Sequence, residues 1–254
     1  MEGTRQDILA EIENWAANEN APNILWMKGH PGVGKSAIST SLVENLRLSG
    51  RLGSSFFFRR ERASVMTPHA LWRTVAYDLA CRYPTIRQYL VSSLSRDGSI
   101  LATSNVDELF RHLIHEPLMA SEAMPIGSAP IIVVDALDEC GGLSGKQSIH
   151  RSNLVRTLRH VSRLPRVFKF VVTSRSENDF ETLFSTINCH LVEISAGQTA
   201  NRESSEDIQR FLEHHFGQVT ARYPNSLPPY WPGHEIINVL TKKAAGLFIW
   251  AKII

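Results

Sequence analysis

The sequence predicts an α/β protein with a parallel sheet and a C-terminal helical region. Short apolar runs alternate along the chain with segments whose apolar residues recur at helical spacing. The runs are apolar at consecutive positions, as in strands that are buried on both faces, and the clearest of them is residues 131–134. Together these patterns are typical of a sheet that helices cover on both faces.

The chain begins with a short amphipathic helix. Its apolar positions start at Ile8 and repeat at helical spacing, and a polar break before Pro22 ends it. The first strand is predicted at residues 24–27, followed by a glycine-rich loop and a helix over 36–48. A second buried strand follows at 54–58.

Capping signals mark the next two helices. Thr67 followed by Pro68 is typical of an N-cap with proline at the first helical position. Asn105 with Glu108 resembles a capping box, and this helix is expected to reach about His115. Beyond the strand at 131–134 we expect a helix at 153–162 and strands at 167–172 and 190–194.

The strand pattern ends at about residue 195. Residues 207–216 and 235–245 predict helices, and a proline-rich stretch at 223–232 separates them. The expected domain organisation is a leading helix over 1–20, a core over 21–195 and a helical subdomain over 196–254.

Composition narrows the class of protein. The 254 residues are 43% hydrophobic, and 27 basic against 25 acidic side chains leave a formal net charge of +2. The hydrophobic content excludes a disordered chain. The near-zero net charge excludes an overall electrostatic field that would attract nucleic acid or a membrane, so any anion-binding site must be local. Three scattered cysteines and an N-terminus without an apolar signal segment favour a location in the cytoplasm.

The strongest motif is G-H-P-G-V-G-K-S over residues 29–36, a phosphate-binding P-loop of the form G-x-x-x-x-G-K-[ST]. Backbone N–H groups of such a loop surround phosphate oxygens, Lys35 neutralises the β- and γ-phosphates, and the Ser36 hydroxyl binds Mg²⁺. A second glycine-rich stretch, residues 140–147, lacks the first glycine and is interpreted as a flexible surface loop. The predicted nucleotide-binding residues of the P-loop are Gly29, Gly32, Val33, Gly34, Lys35, Ser36 and Ala37.

Three acids follow the strand at 131–134. Asp135 stands at its carboxyl end, where a carboxylate is positioned to hold Mg²⁺ together with Ser36. Asp138 and Glu139 can reach an attacking water, so they are the candidate catalytic carboxylates. The alternative for these acids is a solvated turn without a role.

Thr173 and Arg175 end another predicted strand, so both are expected in the same crevice as the P-loop. Thr173 is a candidate contact to the nucleotide. Arg175 is the candidate catalytic sensor of the γ-phosphate, because an arginine that stabilises transition-state charge raises the rate by about 10³ to 10⁵. The alternative is an exposed or ion-paired arginine.

In their order along the chain, these motifs resemble the NACHT family of STAND signalling NTPases, most closely the fungal NACHT proteins with a nephrocystin-like N-terminal NTPase domain. The P-loop, the acidic motif D-A-L-D-E, the strand V-V-T-S-R and the leading Gly3-Thr4-Arg5 carry the resemblance. It extends to S-S-F-F-F-R over 54–59 and to A-G-L-F-I-W-A over 245–251, and so covers nearly the whole chain.

The resemblance implies a three-layer P-loop NTPase sheet in the order 5-1-4-3-2, with Arg175 between Lys35 and Asp135. It also implies ATP or ADP with Mg²⁺ as cofactors, and self-association or partner signalling proteins. The near-neutral charge disfavours nucleic acid as a partner, and the longest apolar stretch is too short for a membrane partner to be expected. Three functions remain open: a slowly hydrolysing ATP-dependent switch, a nucleotide-gated oligomerisation or scaffold module without turnover, and a small-molecule kinase. The kinase would need a mobile basic lid, for which the candidates are Arg59, Arg60 and Arg62.

A basic segment runs from residue 150 to 169, with six cations and no acid. Such a helix could contact nucleic acid or anionic lipid. Apolar residues at helical spacing between the cations favour a solvated helix face that packs its other side on the sheet.

Overall fold

The computed structural model describes residues 4–121, 130–197, 202–228 and 230–254. Within them, five parallel strands form one sheet in the order β2-β3-β4-β1-β5. The predicted order 5-1-4-3-2 is therefore confirmed, with the fourth strand between the first and the third. The strands are β1 (Ile24–Gly29), β2 (Leu52–Phe57), β3 (Ile131–Asp135), β4 (Lys169–Ser174) and β5 (His190–Ile194).

Helices follow most strands of the sheet, as the alternating pattern predicts, and a helical region follows β5. In the described residues they are α1 (Gln6–Ala17), α2 (Lys35–Leu48), α3 (Pro68–Arg82), α4 (Pro84–Arg96), α5 (Val106–Phe110), α6 (Glu116–Met119), α7 (Ile149–Val161), α8 (Asn178–Thr186), α9 (Arg202–Arg222), α10 (His234–Ala244) and α11 (Phe248–Ile253). In this part of the chain, none of the helices combines the length and the hydrophobicity that a membrane span needs.

Successive residues of the strands pack on opposite faces of the sheet. In β4, Phe170 and Val172 join a core cluster with helices α3, α5, α7 and α8, whereas Val171 joins a second cluster with α1 and α2. This alternation, with both faces apolar, explains the continuous hydrophobic runs of the sequence. A separate, smaller cluster joins α9, α10 and α11 around Ile208 and Leu212.

The sheet brings the polar ends of its strands to one edge. Met27 lies beside Thr173 in the register of β1 and β4, and Val134 lies beside Val172 in that of β3 and β4. Because the strands are parallel, the segments that follow Gly29, Asp135 and Ser174 leave the sheet at the same edge.

The helix caps differ in part from the capping pattern. Thr67 Oγ1 accepts a hydrogen bond from the Ala70 nitrogen, so the predicted N-cap of α3 is confirmed. Asn105 caps α5 by accepting from the nitrogens of Asp107 and Glu108. The Glu108 carboxylate, however, accepts from the Thr103 hydroxyl rather than from the Asn105 nitrogen. Only half of a capping box is therefore formed.

The largest differences from the predicted bounds are in two helices. The helix that was expected to end near His115 continues through a π-helical turn, Arg111–His115, into α6. Pro117 has no N–H for an α-helical bond to the carbonyl of Leu113, and a π turn is one way in which a helix absorbs such a gap. Helix α9 is twice as long as the segment predicted within it. The second glycine-rich stretch, predicted as a flexible surface loop, contains 3₁₀ turns over Gly142–Gln147.

The basic segment over 150–169 is not simply a solvated face. Arg151 is 1% exposed and binds Asp179 and Glu177, with Nε–Oδ2 and Nη2–Oε2 distances of 2.8 and 2.7 Å. Lys169 is 2% exposed, and its Nζ donates to the carbonyls of Asn18 and Ala21, in the segment that follows α1 in the chain. These two cations hold helices in place and are unavailable to a nucleic acid or a lipid.

Candidate functional site

The P-loop connects β1 to α2 in the conformation that its glycines permit. Gly32 has φ 82° and Gly34, the N-cap of α2, has φ 98°. Residues other than glycine are strained at such angles. At Gly32 space is also restricted, because an added Cβ would lie 2.3 Å from Cγ2 of Ile249 in α11.

Lys35 is folded back onto the loop that precedes it. Its Nζ donates to the carbonyls of Gly29 and His30, at 2.7 and 3.1 Å. Burial lowers the pKa of Lys35, and the nearby carboxylate of Asp138 opposes this change. The ammonium thus holds the loop together through neutral acceptors, which an anionic phosphate can replace with stronger bonds.

Asp135 is held by two hydroxyl groups at the end of β3. Its Oδ1 accepts from Ser39 Oγ at 2.8 Å and from Thr173 Oγ1 at 2.7 Å, and the residue is 2% exposed. The Thr173 hydroxyl also accepts from the Ala136 nitrogen at 2.9 Å. Thr173, a predicted nucleotide contact, therefore uses its hydroxyl within the protein. Ser39 was not predicted, although it lies one helical turn after Lys35 on the same face of α2.

Asp138 and Arg175 form an ion pair at the same edge of the sheet. The Arg175 Nε lies 2.9 Å from Asp138 Oδ2, and the Arg175 main-chain nitrogen donates to Oδ1 at 3.1 Å. The Asp138 side chain is 4% exposed and that of Arg175 is 38% exposed. The structure thus brings the proposed sensor to the site, but in the ion-paired form that was the alternative interpretation.

Glu139 also binds a protein donor. Its Oε2 accepts from the main-chain nitrogen of Arg60 at 3.0 Å. Arg60 belongs to a short 3₁₀ turn, Arg60–Arg62, and was one of the three candidates, with Arg59 and Arg62, for the mobile basic lid of a small-molecule kinase. Both carboxylates that were expected to orient water are therefore engaged with protein groups.

A cavity of about 580 Å³ lies along this edge of the sheet. Gly29, Val33 and Asp135 are buried, and within the described chain they do not belong to its lining. The remaining predicted site residues do line it: Gly32, Gly34, Lys35, Ser36, Ala37, Asp138, Glu139, Thr173 and Arg175.

The sequence did not predict the opposite wall of the cavity, which is largely apolar. It is formed by α1, α9 and α11, with contributions from Leu9, Phe211, Phe248 and Ile249. Helix α11 is joined directly to the P-loop, because the Ile249 nitrogen donates to the Gly32 carbonyl at 3.1 Å. Because this apolar wall faces the P-loop, the cavity has a polar end and an apolar end.

Arg5 links this wall to the P-loop. Its Nη2 donates to the Val33 carbonyl at 3.2 Å and its Nη1 to the Ser204 hydroxyl at 2.7 Å. Its main-chain nitrogen donates to Asp207 Oδ2 at 3.0 Å, and its guanidinium lies 5.1 Å from the ring centroid of Phe248. Burial lowers the pKa of Arg5 and raises that of Asp207. The leading Gly3-Thr4-Arg5 signature is the sequence feature that could have indicated this residue, although Gly3 lies outside the described residues.

The donor set at the P-loop fits Mg²⁺ only when a nucleotide is present. Among the described residues, no group of three or more His, Cys, Asp or Glu side chains could hold a metal ion. Ser36 and Asp135 supply hard oxygen ligands, and Mg²⁺ is usually bound by one or two carboxylates together with substrate phosphates. These two residues would hold the ion alongside the phosphates.

Comparison with known proteins gives the family. The family model described as nephrocystin 3, N-terminal, matches residues 3–175, more than half of the chain. Over 252 residues the chain is 21% identical to the vegetative incompatibility protein HET-E-1 of Podospora anserina. The match covers 96% of this chain and 17% of that protein.

Among solved structures, the chain is similar to the Signal Transduction ATPase with Numerous Domains (STAND) protein with a tetratricopeptide repeat sensor from Pyrococcus horikoshii. The TM-score is 0.53 at 15% identity, and the match covers 98% of this chain and 29% of that one. The chain thus spans less than a third of the length of either relative. It belongs to the nephrocystin 3 N-terminal family and has the NACHT-type P-loop NTPase fold.

Proposed function

We propose that this chain is an Mg²⁺-dependent ATP-binding switch module that hydrolyses ATP slowly. The observation that carries the proposal is the cavity at the P-loop, where Lys35, Ser36 and Arg175 come together from α2 and from the end of β4. Its volume of about 580 Å³ is typical of a site for a small organic ligand.

Each polar group of the cavity has a role in this proposal. Lys35 would exchange its carbonyl partners for the β- and γ-phosphates, and backbone N–H groups at the start of α2 would bind the remaining phosphate oxygens. Ser36 and Asp135 would hold Mg²⁺, and the bound ion would neutralise part of the negative charge of the phosphates. Arg175 would contact the γ-phosphate.

Slow hydrolysis is proposed from the state of the two candidate catalytic carboxylates. A carboxylate that orients water must have a free oxygen within reach of that water. Asp138 is bound to Arg175, and Glu139 is bound to the Arg60 nitrogen. Asp138 must therefore release Arg175 before it can orient an attacking water, and Glu139 would have to do so through its other oxygen while Oε2 stays bound to Arg60.

The signalling role is proposed from the relatives. The Pyrococcus horikoshii protein is named a signal transduction ATPase, and the Podospora anserina protein a vegetative incompatibility protein. We therefore propose that nucleotide state changes self-association or the binding of partner signalling proteins in the cytoplasm.

Titration calorimetry with Mg·ATP tests nucleotide binding. The wild-type chain is expected to bind with a Kd in the micromolar range or below, and Lys35→Ala to lose measurable binding. Lys243→Ala, which removes an exposed lysine from α10, is the matched control and should bind as the wild type does. Equal and negligible heats for the wild type and Lys35→Ala would refute the proposal.

A second candidate is a nucleotide-gated oligomerisation module without turnover, which the engaged Asp138 and Glu139 also favour. Phosphate release under single-turnover conditions distinguishes the two functions. If Glu139→Gln releases phosphate as fast as the wild type, the catalytic assignment of Glu139 is wrong. Light scattering with ATP and with ADP then shows whether the bound nucleotide controls assembly.

A further inference from the structure

Ser39 and Thr173 reach the same oxygen of Asp135 from different elements of the fold. Ser39 is in α2, which carries the P-loop lysine, and Thr173 is in β4, which leads to Arg175. Both residues are fully buried, and their hydroxyls donate to Oδ1 at 2.8 and 2.7 Å. Two donors on one oxygen fix the rotation of the carboxylate group.

The direction of the Thr173 hydroxyl is set by its surroundings. Its oxygen accepts from the Ala136 nitrogen at 2.9 Å, so its single proton is free to point to Asp135. Ala136 has φ 57°, which turns the chain away from β3 immediately after Asp135. The hydrogen bonds of Thr173 therefore hold both the Asp135 carboxylate and the turn that follows it.

The two carboxylate oxygens of Asp135, Oδ1 and Oδ2, differ in their hydrogen bonding. Among the described residues, none donates a hydrogen bond to Oδ2, whereas Oδ1 receives two. In the described chain neither Ser39 nor Asp135 lines the cavity, whereas Ala136, which follows Asp135, does. The contact through which Ser39 approaches the site is therefore its hydrogen bond to the carboxylate of Asp135.

We propose that Ser39 is a positioning residue for the Mg²⁺ site, and that with Thr173 it holds Oδ1 so that Oδ2 is presented to the Mg²⁺ of bound Mg·ATP. The inference rests on the proposed function and assigns a role to a residue outside the P-loop motif. It also gives Thr173 a role toward Asp135 in place of a direct contact to the nucleotide.

The test is a Mg²⁺ titration at a fixed concentration of a fluorescent ATP analogue, with a parallel titration of the analogue in excess EDTA. Ser39→Ala should weaken the apparent affinity for Mg²⁺ by about 10-fold or more, as loss of a hydrogen bond to a metal ligand does. Affinity for the metal-free nucleotide should stay unchanged. Thr173→Val should give the same pattern and provides a second measurement if Ser39→Ala folds poorly.

Two controls separate positioning from a packing effect. Ser49→Ala removes a hydroxyl at the far end of α2 and should leave both affinities unchanged. In an Asp135→Asn background, adding Ser39→Ala should produce no further loss of Mg²⁺ affinity, because both changes act on one carboxylate. The proposal is overturned if Ser39→Ala weakens metal-free and metal-bound nucleotide equally, or if its effect persists in that background. Failure of the wild type to bind the analogue under either condition would instead overturn the proposed function and this inference with it.

Discussion

The carboxylate of Asp138 binds Arg175 at two points, the main-chain nitrogen and the side-chain Nε. The first contact joins two loops at the edge of the sheet, and the second compensates a charge. A γ-phosphate would compete for the second, because a guanidinium can form the same charge-assisted hydrogen bonds with a phosphate as with a carboxylate. Under the proposed function, arrival of ATP therefore exchanges one anionic partner of the arginine for another.

Asp138→Asn should increase the preference of the site for ATP over ADP. The variant keeps an oxygen for the Arg175 nitrogen but removes the negative charge that competes with the γ-phosphate. Because Arg175 is partly exposed, the pair is worth at most about 1 kcal/mol, so we expect an increase of about two- to five-fold. The measurement is the ratio of the dissociation constants for ADP and ATP. Glu61→Gln, in the adjacent 3₁₀ turn, is the control, and an unchanged ratio in Asp138→Asn would contradict this competition.

Gly32→Ala should destabilise the protein more than Gly50→Ala. Both glycines have positive φ, 82° and 72°, so both variants carry a backbone strain of about 1–2 kcal/mol. At Gly50 no atom lies within 4 Å of an added Cβ, whereas at Gly32 the Cγ2 of Ile249 lies at 2.3 Å. Urea unfolding of the two variants measures the difference. Combining Gly32→Ala with Ile249→Ala should recover part of the loss, and equal destabilisation of both glycine variants would show that α11 yields freely.

Arg5→Ala should loosen the helical region while leaving the sheet folded. Removing the guanidinium takes away the donor of the Val33 carbonyl and of the Ser204 hydroxyl, and it leaves Arg210 as the remaining cation beside the buried carboxylate of Asp207. Loss of buried hydrogen bonds of this kind costs about 1–3 kcal/mol. Amide hydrogen exchange should increase across α9 and α11 but remain slow in β1, β3 and β4. The double variant Arg5→Ala with Asp207→Ala should be less destabilised than Arg5→Ala alone. Uniformly faster exchange throughout the sheet would show instead that Arg5 supports the whole fold.

Lys169 should make the free energy of unfolding rise with pH above neutrality. Burial lowers the pKa of this amine from 10.5 to about 8. Between these two values the unfolded chain binds more protons than the folded one, so the contribution of Lys169 to stability increases with pH. Urea unfolding at pH 7, 8, 9 and 10 should show the wild type gaining stability relative to Lys169→Met. A difference between the two proteins that stays constant over this range would rule out the shift.

The sheet was the most predictable part of the molecule. Runs such as Ile131-Ile132-Val133-Val134 are apolar at every position, and this pattern has few interpretations besides a strand covered on both faces. The strand order came from the resemblance, since hydrophobic spacing contains no information on which strands are neighbours. The P-loop could be placed because its glycines and lysine form one local motif.

The partners within the site could not be predicted, because they are separated widely along the chain. Ser39 meets Asp135 across 96 positions, and Arg5 meets Asp207 across 202. A serine in the middle of a helix has no local pattern that indicates burial, and the Gly3-Thr4-Arg5 signature indicates Arg5 without indicating its partner. An ion-paired Arg175 was one of the two interpretations, but its partner Asp138 could not be identified, because each residue alone fits an exposed turn.

The hydrogen bond from the Ile249 nitrogen to the Gly32 carbonyl joins two walls of the cavity that differ in how firmly they are held. The wall at the sheet edge is anchored by β1, β3 and β4, each of which has hydrogen-bonded neighbours on both sides. Helix α11 is joined to the P-loop by this hydrogen bond, and its residues pack in the cluster of α9 and α10 rather than in the cores on the two faces of the sheet. A nucleotide enclosed between them would leave by separation of the helices rather than by movement of the strands. The dissociation rate of the nucleotide would then be limited by the rate at which α11 separates from the P-loop. Measuring that rate would measure how often the helical region opens.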